Sequence, residues 1–414
     1  MTDSRRRLFV DVTPLKTSSR FRWLYGGLSL AWLGRQITVV AVPYQVYQLT
    51  GSTLLVGLLG IAQLVPLLLV SVVGGAVVDA VDRRRLLVIA QLLLMATAIG
   101  LAFNAGLEDP HVWLVFALSG LNAGVSAIDS PARSASVPAL VGREQLPVAL
   151  ALVTTLSNIA KTVGPALAGL LIAQTGLVVT FVVEAVAFGL GTLFMQRIGP
   201  LHPEGGGQRF GWTSIKEGYA FLRGRRLLQA NFAIDLNAMV FGMPQALFPA
   251  IGTIVLGGDA STVGLLYAAP GAGALIGAIT SGWVGRVQRQ GRAVVLAVIA
   301  WGAAIAAFGF TTSVALAVVL LAIAGAADVV SAVFRNTILQ LAVPDRLRGR
   351  LSSIHVAVVA GGPRIGDFEA GAVASVTTPQ ISVVSGGVAC VLGALLIARR
   401  MPELPRYRMS DTAI

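Results

Sequence analysis

Charge is what this sequence has least of. Only 12% of its 414 residues are Asp, Glu, Lys or Arg, about half the share found in soluble chains. Hydrophobic residues make up 55% and the mean hydropathy is +0.79, so the chain is too apolar to dissolve as a globular domain. With one cysteine, Cys390, and three histidines, a disulfide framework is excluded and no zinc spacing is available. Nothing resembles a nucleotide-binding loop, and no catalytic triad or metal cluster is visible, which argues against ATP-driven pumping, against an enzyme and against a resident cofactor. Acidic residues are also scarce, 19 against 31 basic ones, for a net charge of +12. Such an excess would suit nucleic acid. Here, however, the basic residues sit in short clusters between apolar runs rather than along one exposed face, and no nucleic-acid partner is expected.

What the chain has instead is a series of apolar runs of about 20 residues, the length that crosses the hydrocarbon of a bilayer. They lie near 23–48, 54–78, 86–106, 112–136, 148–173 and 176–196, and then near 229–256, 262–285, 293–311, 314–340, 351–376 and 379–398. The first is too long for a signal-peptide core and is expected to remain as a spanning helix. The fold class expected is an all-α membrane protein of twelve transmembrane helices in two six-helix bundles, 1–198 and 229–414. A cytoplasmic linker, 199–228, joins them, with Trp212 to Leu228 reading as an amphipathic helix on the membrane surface.

Basic residues orient these spans, because cytoplasmic loops retain Lys and Arg. Arg5 to Arg7, Arg83 to Arg85, Arg143, Arg223 to Arg226, Arg286/Arg289/Arg292, Arg346/Arg348/Arg350 and Arg399/Arg400 all fall on one side of a twelve-span thread. The loops around 50, 108, 175, 259, 312 and 378 contain no Lys or Arg. Both termini are therefore placed in the cytoplasm, in a chain of the cell inner membrane whose partners are the lipid bilayer and a small molecule, and which acts as a monomer. The halves also echo each other: Gly75, Asp79 and Arg83-Arg84-Arg85 find a counterpart in Gly282, Arg286, Arg289 and Arg292, and Gly164-Pro165 in Gly362-Pro363.

The loop Gly74-Gly-Ala-Val-Val-Asp79-Ala-Val-Asp-Arg83-Arg-Arg-Leu resembles the cytoplasmic signature of the major facilitator superfamily, departing at Ala80 and at Asp82, where a glycine is commoner. Gly164, Pro165 and Gly169 resemble the antiporter motif of drug exporters. More narrowly, Ala41-Val-Pro43-Tyr-Gln45, Pro138-Ala-Leu-Val-Gly-Arg143-Glu, Leu247-Phe-Pro249-Ala and Gly264-Leu-Leu-Tyr-Ala-Ala269 are similar to the enterobactin-exporter and macrolide-efflux branch. The resemblance implies a secondary transporter powered by the proton gradient and exporting a siderophore-like or macrolide-like amphipathic molecule. It also implies that helices 1, 4, 7 and 10 line the cavity. An importer or exchanger of an anionic nutrient, and a non-transporting scaffold, are the competing readings.

Charges inside the spans are the site candidates, since each costs about 2.5–3.5 kcal/mol at a helix centre. Asp129, Asp367 and Asp328 are the proton-site candidates, because burial raises a carboxylate's pKa and a nearby arginine lowers it. Asp129 and Arg133 stand i to i+4, the favourable order for a local pair, and Arg35 of helix 1 is expected to neutralise Asp129 across the cavity. Arg35, Gln36, Tyr44, Asp235, Phe241, Tyr267, Arg364 and Glu369 are candidates for the cavity wall. Gly75, Asp79, Arg83, Arg84, Arg133 and Arg335 are candidates for a cytoplasmic gate, with topology anchoring as the alternative for Arg83 to Arg85. Lys161 and Glu184 read as structural. For every buried charge a permanent ion pair that staples helices is an open alternative. Phe116 to Gly120 hold no basic residue where many proton-coupled relatives carry one, so proton coupling follows from the resemblance alone. Pro363, with Gly361-Gly362, is expected to kink helix 11.

Overall fold

The computed structural model describes residues 11–202, 220–343 and 345–409, with the side chains of 72–80, 345–350, 352–354, 356 and 357 outside that description. Nine helices among the described residues are long and apolar enough to cross a membrane. One of these, Leu146–Gln196, is two crossings joined end to end, because Gly176 leaves helical geometry with φ 80° and ψ 175°; a positive φ of that kind suits glycine alone. Two further 32-residue helices, Ser19–Thr50 and Asp345–Val376, have the length to cross and carry Arg35 and Gln36, and Arg364, Asp367 and Glu369, through their middles. Twelve crossings result among the described residues.

In chain order they are α1 (Ser19–Thr50), α2 (Thr53–Ala80), α3 (Arg83–Ala105), α4 (Val112–Ser136), α5 and α6 (146–175 and 177–196), α7 (Arg226–Val255), α8 (Ala260–Ile279), α9 (Gln290–Phe308), α10 (Val314–Ala342), α11 (Asp345–Val376) and α12 (Pro379–Arg400). Side-chain caps start several of them, satisfying amides that a helix leaves unpaired: Ser18 accepts from Phe21 N, Asp259 from Ser261 N and Thr378 from Ile381 N. Gly51, with φ 62°, closes α1.

Two details differ from the sequence-based expectation. The segment expected as one helix over 229–256 breaks at Gly242 to Pro244 and resumes as short turns ending in a π-helix, Ile251–Val255. Residues 220–222 are helical, but Gly224, at φ 101°, ends that helix before α7 begins, so no surface helix runs on to Leu228; residues 203–219 lie outside the described residues. Helix α11 is uninterrupted through Pro363.

Packing sorts the helices into two groups. In the first, α1 lies on α5 and α6, α2 on α4, and α3 on α4 and α6; in the second, α8 lies on α10, α9 on α10 and α12, and α7 on α11 and α12. Two extensive pairs join the groups, α5 with α8 and α2 with α11, and smaller contacts link α1 and α2 to α7 and α1 to α8. Glycine makes both joints, because small residues let backbones approach where lipid supplies no hydrophobic drive. A Cβ on Gly169 would lie 2.7 Å from Gly264 Cα, and one on Gly57 would lie 2.6 Å from the Asp367 carbonyl oxygen. Thr53 adds a hydrogen bond from its hydroxyl to the Gly371 carbonyl at 3.2 Å.

These joints are near the end whose loops lack Lys and Arg. There one apolar cluster runs from the second half into Val40, Val46, Val56, Leu101, Val115 and Phe181 of the first. Toward the arginine-bearing end the first half closes on its own cluster around Phe21, Leu24, Leu87 and Met195, and the second on Leu228, Phe232, Leu339 and Leu351. The two halves are sealed at one end and separately packed at the other.

Asp82, at the departure from the superfamily loop, has a structural job. Its carboxylate accepts from Arg84 N at 2.8 Å, capping α3, and from Leu201 N at 3.2 Å, tying the end of α6 to the same loop. Burial alone would raise its pKa, but the amides of Leu201, Arg84 and Arg85 outweigh burial and hold the carboxyl below its usual range. A depressed carboxylate contributes stability that is present at neutral pH and lost as pH falls through the folded value. Asp82→Ala is expected to cost about 1 kcal/mol at pH 7, with the gap in thermal stability closing below about pH 4; detergent melts of both proteins across pH measure it.

Candidate functional site

The break in α7 opens the centre of the molecule. Where Gly242 to Pro244 interrupt the helix, backbone groups in the membrane interior must find other partners. Trp301 Nε1 donates to the Gly242 carbonyl at 2.8 Å, the Tyr267 hydroxyl donates to the Gln245 carbonyl at 2.9 Å, and Ala246 N donates to Asp367 Oδ1 at 2.9 Å. Gln245, Ala246, Tyr267 and Asp367 thereby form one wall of a cavity of about 210 Å³ between the halves, just inside the sealed end.

The opposite wall comes from the first half. Arg35 and Thr38 reach it from one face of α1, Gln63 from α2, and Ser119 and Asn122 from one face of α4; spacings of three residues put each pair side by side. The Thr38 hydroxyl donates to Glu184 Oε1 on α6. Glu184 is fully buried, its second oxygen has no partner, and Arg35 is its electrostatic neighbour. From the second half Arg364 completes the wall, with Nη1 donating to the Ala360 carbonyl at 2.7 Å.

Of the residues expected in the cavity wall, Arg35, Tyr267 and Arg364 line it, and so does Asp367. The others lie elsewhere, each for a visible reason. Gln36 points the other way on α1, its Cβ and Cγ filling the space above Gly164. Tyr44 is buried, its hydroxyl accepting from Gln48 Nε2 at 2.9 Å. Phe241 is half-buried against the core, and Glu369 stands two residues beyond Asp367 on α11, outside the lining. Asp235 is withdrawn into an ion pair with Arg335 at 3.0 Å, both nearly inaccessible.

The ion pairs also correct the expected partner of Arg35. Asp129 is bound by Arg133, one turn along its own helix, and is fully buried; that guanidinium lies 5.4 Å from the Trp32 ring centre. The pair expected across the cavity between Arg35 and Asp129 does not form. Arg335, read as a gate residue, sits inside the second half between Asp235 and Asp328, the latter at 3.6 Å. Asp328 borders a smaller hollow of about 40 Å³ beside Trp301 and Pro270. Arg83 donates to the Ala135 carbonyl at 3.0 Å, linking α3 to α4 in the same half, while Arg84 supplies the capped amide. The surroundings of Gly75 and the side chain of Asp79 lie outside what the structure describes.

Thr38, Gln63, Ser119, Asn122 and Gln245 escaped the sequence reading, and Glu184 was read there as structural. Gly-Met-Pro in mid-span was the available signal for Gln245, since discontinuous helices line transporter sites; the three-residue spacing of Arg35 with Thr38 and of Ser119 with Asn122 was the signal for the opposite wall.

Comparison with known proteins agrees with this architecture. The family described as transmembrane secretion effector, within the major facilitator superfamily, matches residues 10–413. The chain is 28% identical to the Enterobactin exporter EntS of Citrobacter koseri, over 98% of this chain and 97% of that one. It is likewise 28% identical to the protein of that name from Shigella boydii serotype 4, over 99% of each. Among solved structures it is similar in fold to a bacterial homologue of the human lysosomal transporter Spinster, in an inward-facing and unoccupied conformation, with a TM-score of 0.71, 16% identity and coverage of 94% and 98%. It is also similar to a D-xylose–proton symporter, with a TM-score of 0.71, 14% identity and coverage of 93% and 98%. A twelve-helix membrane protein with a polar cavity between two joined halves, matched end to end, this chain belongs to the transmembrane secretion effector family of the major facilitator superfamily.

Proposed function

We propose that this chain is a secondary transporter exporting a siderophore-like or macrolide-like amphipathic molecule by proton antiport. The two halves, joined through 199–228, rock about the central cavity, and the arginine-bearing face lies on the cytoplasmic side of the inner membrane. The observation that carries the reading is the polar cavity sealed by the α2–α11 and α5–α8 joints while the arginine-bearing ends pack separately. In that orientation the cavity receives cargo from the cytoplasm. The full-length relatives named as enterobactin exporters support a siderophore as cargo. A scaffold has no use for such a cavity.

Everted vesicles that acidify their lumen are expected to accumulate enterobactin only when they contain the protein, and an uncoupler should collapse the accumulation. Retention of enterobactin outside the vesicles, with or without the gradient, would sink the reading.

For the proton, Asp367 and Glu184 are the groups to test: Asp367 because it lines the cavity, Glu184 because its free oxygen lies behind Thr38 and Arg35. Asp367→Asn is expected to lower gradient-driven accumulation about a hundredfold or more, the scale of losing one proton-transfer group, while cargo exchange without a gradient continues. Asp328→Asn should reduce it less, because that side chain is 38% exposed and outside this cavity. Equal accumulation by Asp367→Asn, Glu184→Gln and the parent would remove both from the proton path.

A further inference from the structure

The central cavity holds two guanidinium groups, each with a carboxylate nearby but neither in ion-pair contact with one. Arg35 enters from α1 of the first half and Arg364 from α11 of the second, and they are close enough to influence each other electrostatically. Among the described residues, no carboxylate lies within ion-pairing distance of either. Asp367 is one turn along from Arg364 but spends an oxygen on Ala246 N. Glu184, the acidic neighbour of Arg35, spends one on the Thr38 hydroxyl. Arg364 Nε is buried without a hydrogen-bond partner, and so is the Ser119 hydroxyl on the facing wall. Cations left in this state within a membrane are expensive, and a buried donor without an acceptor adds about 1–3 kcal/mol. Nothing in the packing of the helices calls for either arginine: the joints between the halves are made by glycines and Thr53.

Resting on the transport reading, we infer that Arg35 and Arg364 together hold one oxyanionic group of the cargo, which makes the transported class organic oxyanions, carboxylates or phenolates, rather than neutral amphiphiles. A guanidinium presents its N–H groups as a planar fork that matches the two oxygens of a carboxylate or catecholate. Arg364 offers Nε with the remaining terminal nitrogen, Arg35 offers its fork from across the cavity, and Ser119 supplies a third donor. Because the two arginines belong to opposite halves, the anion contacts both and bridges α1 to α11 at the same time. A neutral molecule of the same shape leaves both charges and the Arg364 Nε donor unmatched, and a site of this kind discriminates strongly against it.

The test uses the purified full-length protein and two probes that differ in one charge, 2,3-dihydroxybenzoate and its amide, with binding followed by titration calorimetry. The acid is expected to bind about tenfold tighter than the amide, the scale of one lost charge-assisted contact. Arg35→Gln and Arg364→Gln should each erase that preference, and Arg364→Lys should keep part of it. Acid and amide behaving alike on the parent protein, whether both bind or neither does, overturns the oxyanion site, as does a preference that survives both glutamine variants. Should either variant fail to elute as a folded monomer, the acid-to-amide ratio on the parent decides alone. Enterobactin accumulation in everted vesicles separates the two readings. Transport with no acid preference removes the arginine site and keeps the exporter, whereas an acid preference without transport does the reverse.

Discussion

Valine in place of Gly169 or Gly264 is expected to abolish transport while the protein still inserts and folds. At these positions α5 and α8 touch backbone to backbone. A Cβ on Gly169 would lie 2.5 Å from the Ala260 carbonyl oxygen and 2.9 Å from Gly264 N; a Cβ on Gly264 would lie 2.6 Å from the Pro165 carbonyl oxygen. No neighbouring side chain can rotate away, so the helices themselves must part. Overpacking costs about 1–3 kcal/mol in cores that relax, and each 1.4 kcal/mol shifts a two-state population tenfold. The sealed conformation should therefore become the minor one, its closed end opening while each half keeps its internal packing. A cysteine at Gln63, in the cavity wall, reports this directly, because the lone native cysteine, Cys390, is fully buried. In the parent a membrane-impermeant maleimide applied from the arginine-free side should label position 63 only slowly, during the brief openings of the cycle; in Gly169→Val it should label it fast. Gly142→Ala is the control, since nothing lies within 4 Å of a Cβ there. Parent-level transport by Gly169→Val would mean that this joint takes no part in the cycle.

The crossings were legible because length and apolarity are local properties, and because arginine clusters recur at every second turn. Even the uncharged stretch from Ala293 to Ala327 divides where Gly309 to Ser313 form its turn. The break in α7 was harder to see, since glycine and proline also stand close together in α11, which runs unbroken through Gly361, Gly362 and Pro363. What separates them is the set of partners waiting on other helices, Trp301, Tyr267 and Asp367, which sequence spacing does not display. The ion pairs divide in the same way. Asp129 with Arg133 follows from one turn of helix, whereas the neighbour of Arg35 depends on how α1 meets α6, and there Glu184 took the place expected for Asp129. Asp82 looked like a departure from the loop signature, and its use as a cap appeared only once Leu201 was beside it.

The cluster around Arg335 yields the largest expected loss of stability from a single change. Its guanidinium is 3.0 Å from Asp235 and 3.6 Å from Asp328, and Asp235 and Arg335 are 2% and 4% exposed. Arg335→Met preserves most of the volume but leaves a buried carboxylate without its partner, a change that costs about 3–5 kcal/mol. Asp328→Asn should cost far less, because that side chain is 38% exposed and Lys161 of the other half is also an electrostatic neighbour. The double variant Asp235→Leu with Arg335→Met removes both charges and should regain most of the loss, since apolar replacements of buried pairs are often neutral. Thermal melts in detergent rank the three variants, and vesicle transport then assigns the role. A double variant as stable and as active as the parent makes the pair a staple. One that is as stable but inactive makes Asp235 and Arg335 part of the moving machinery, because packing has been restored and only the charges are missing.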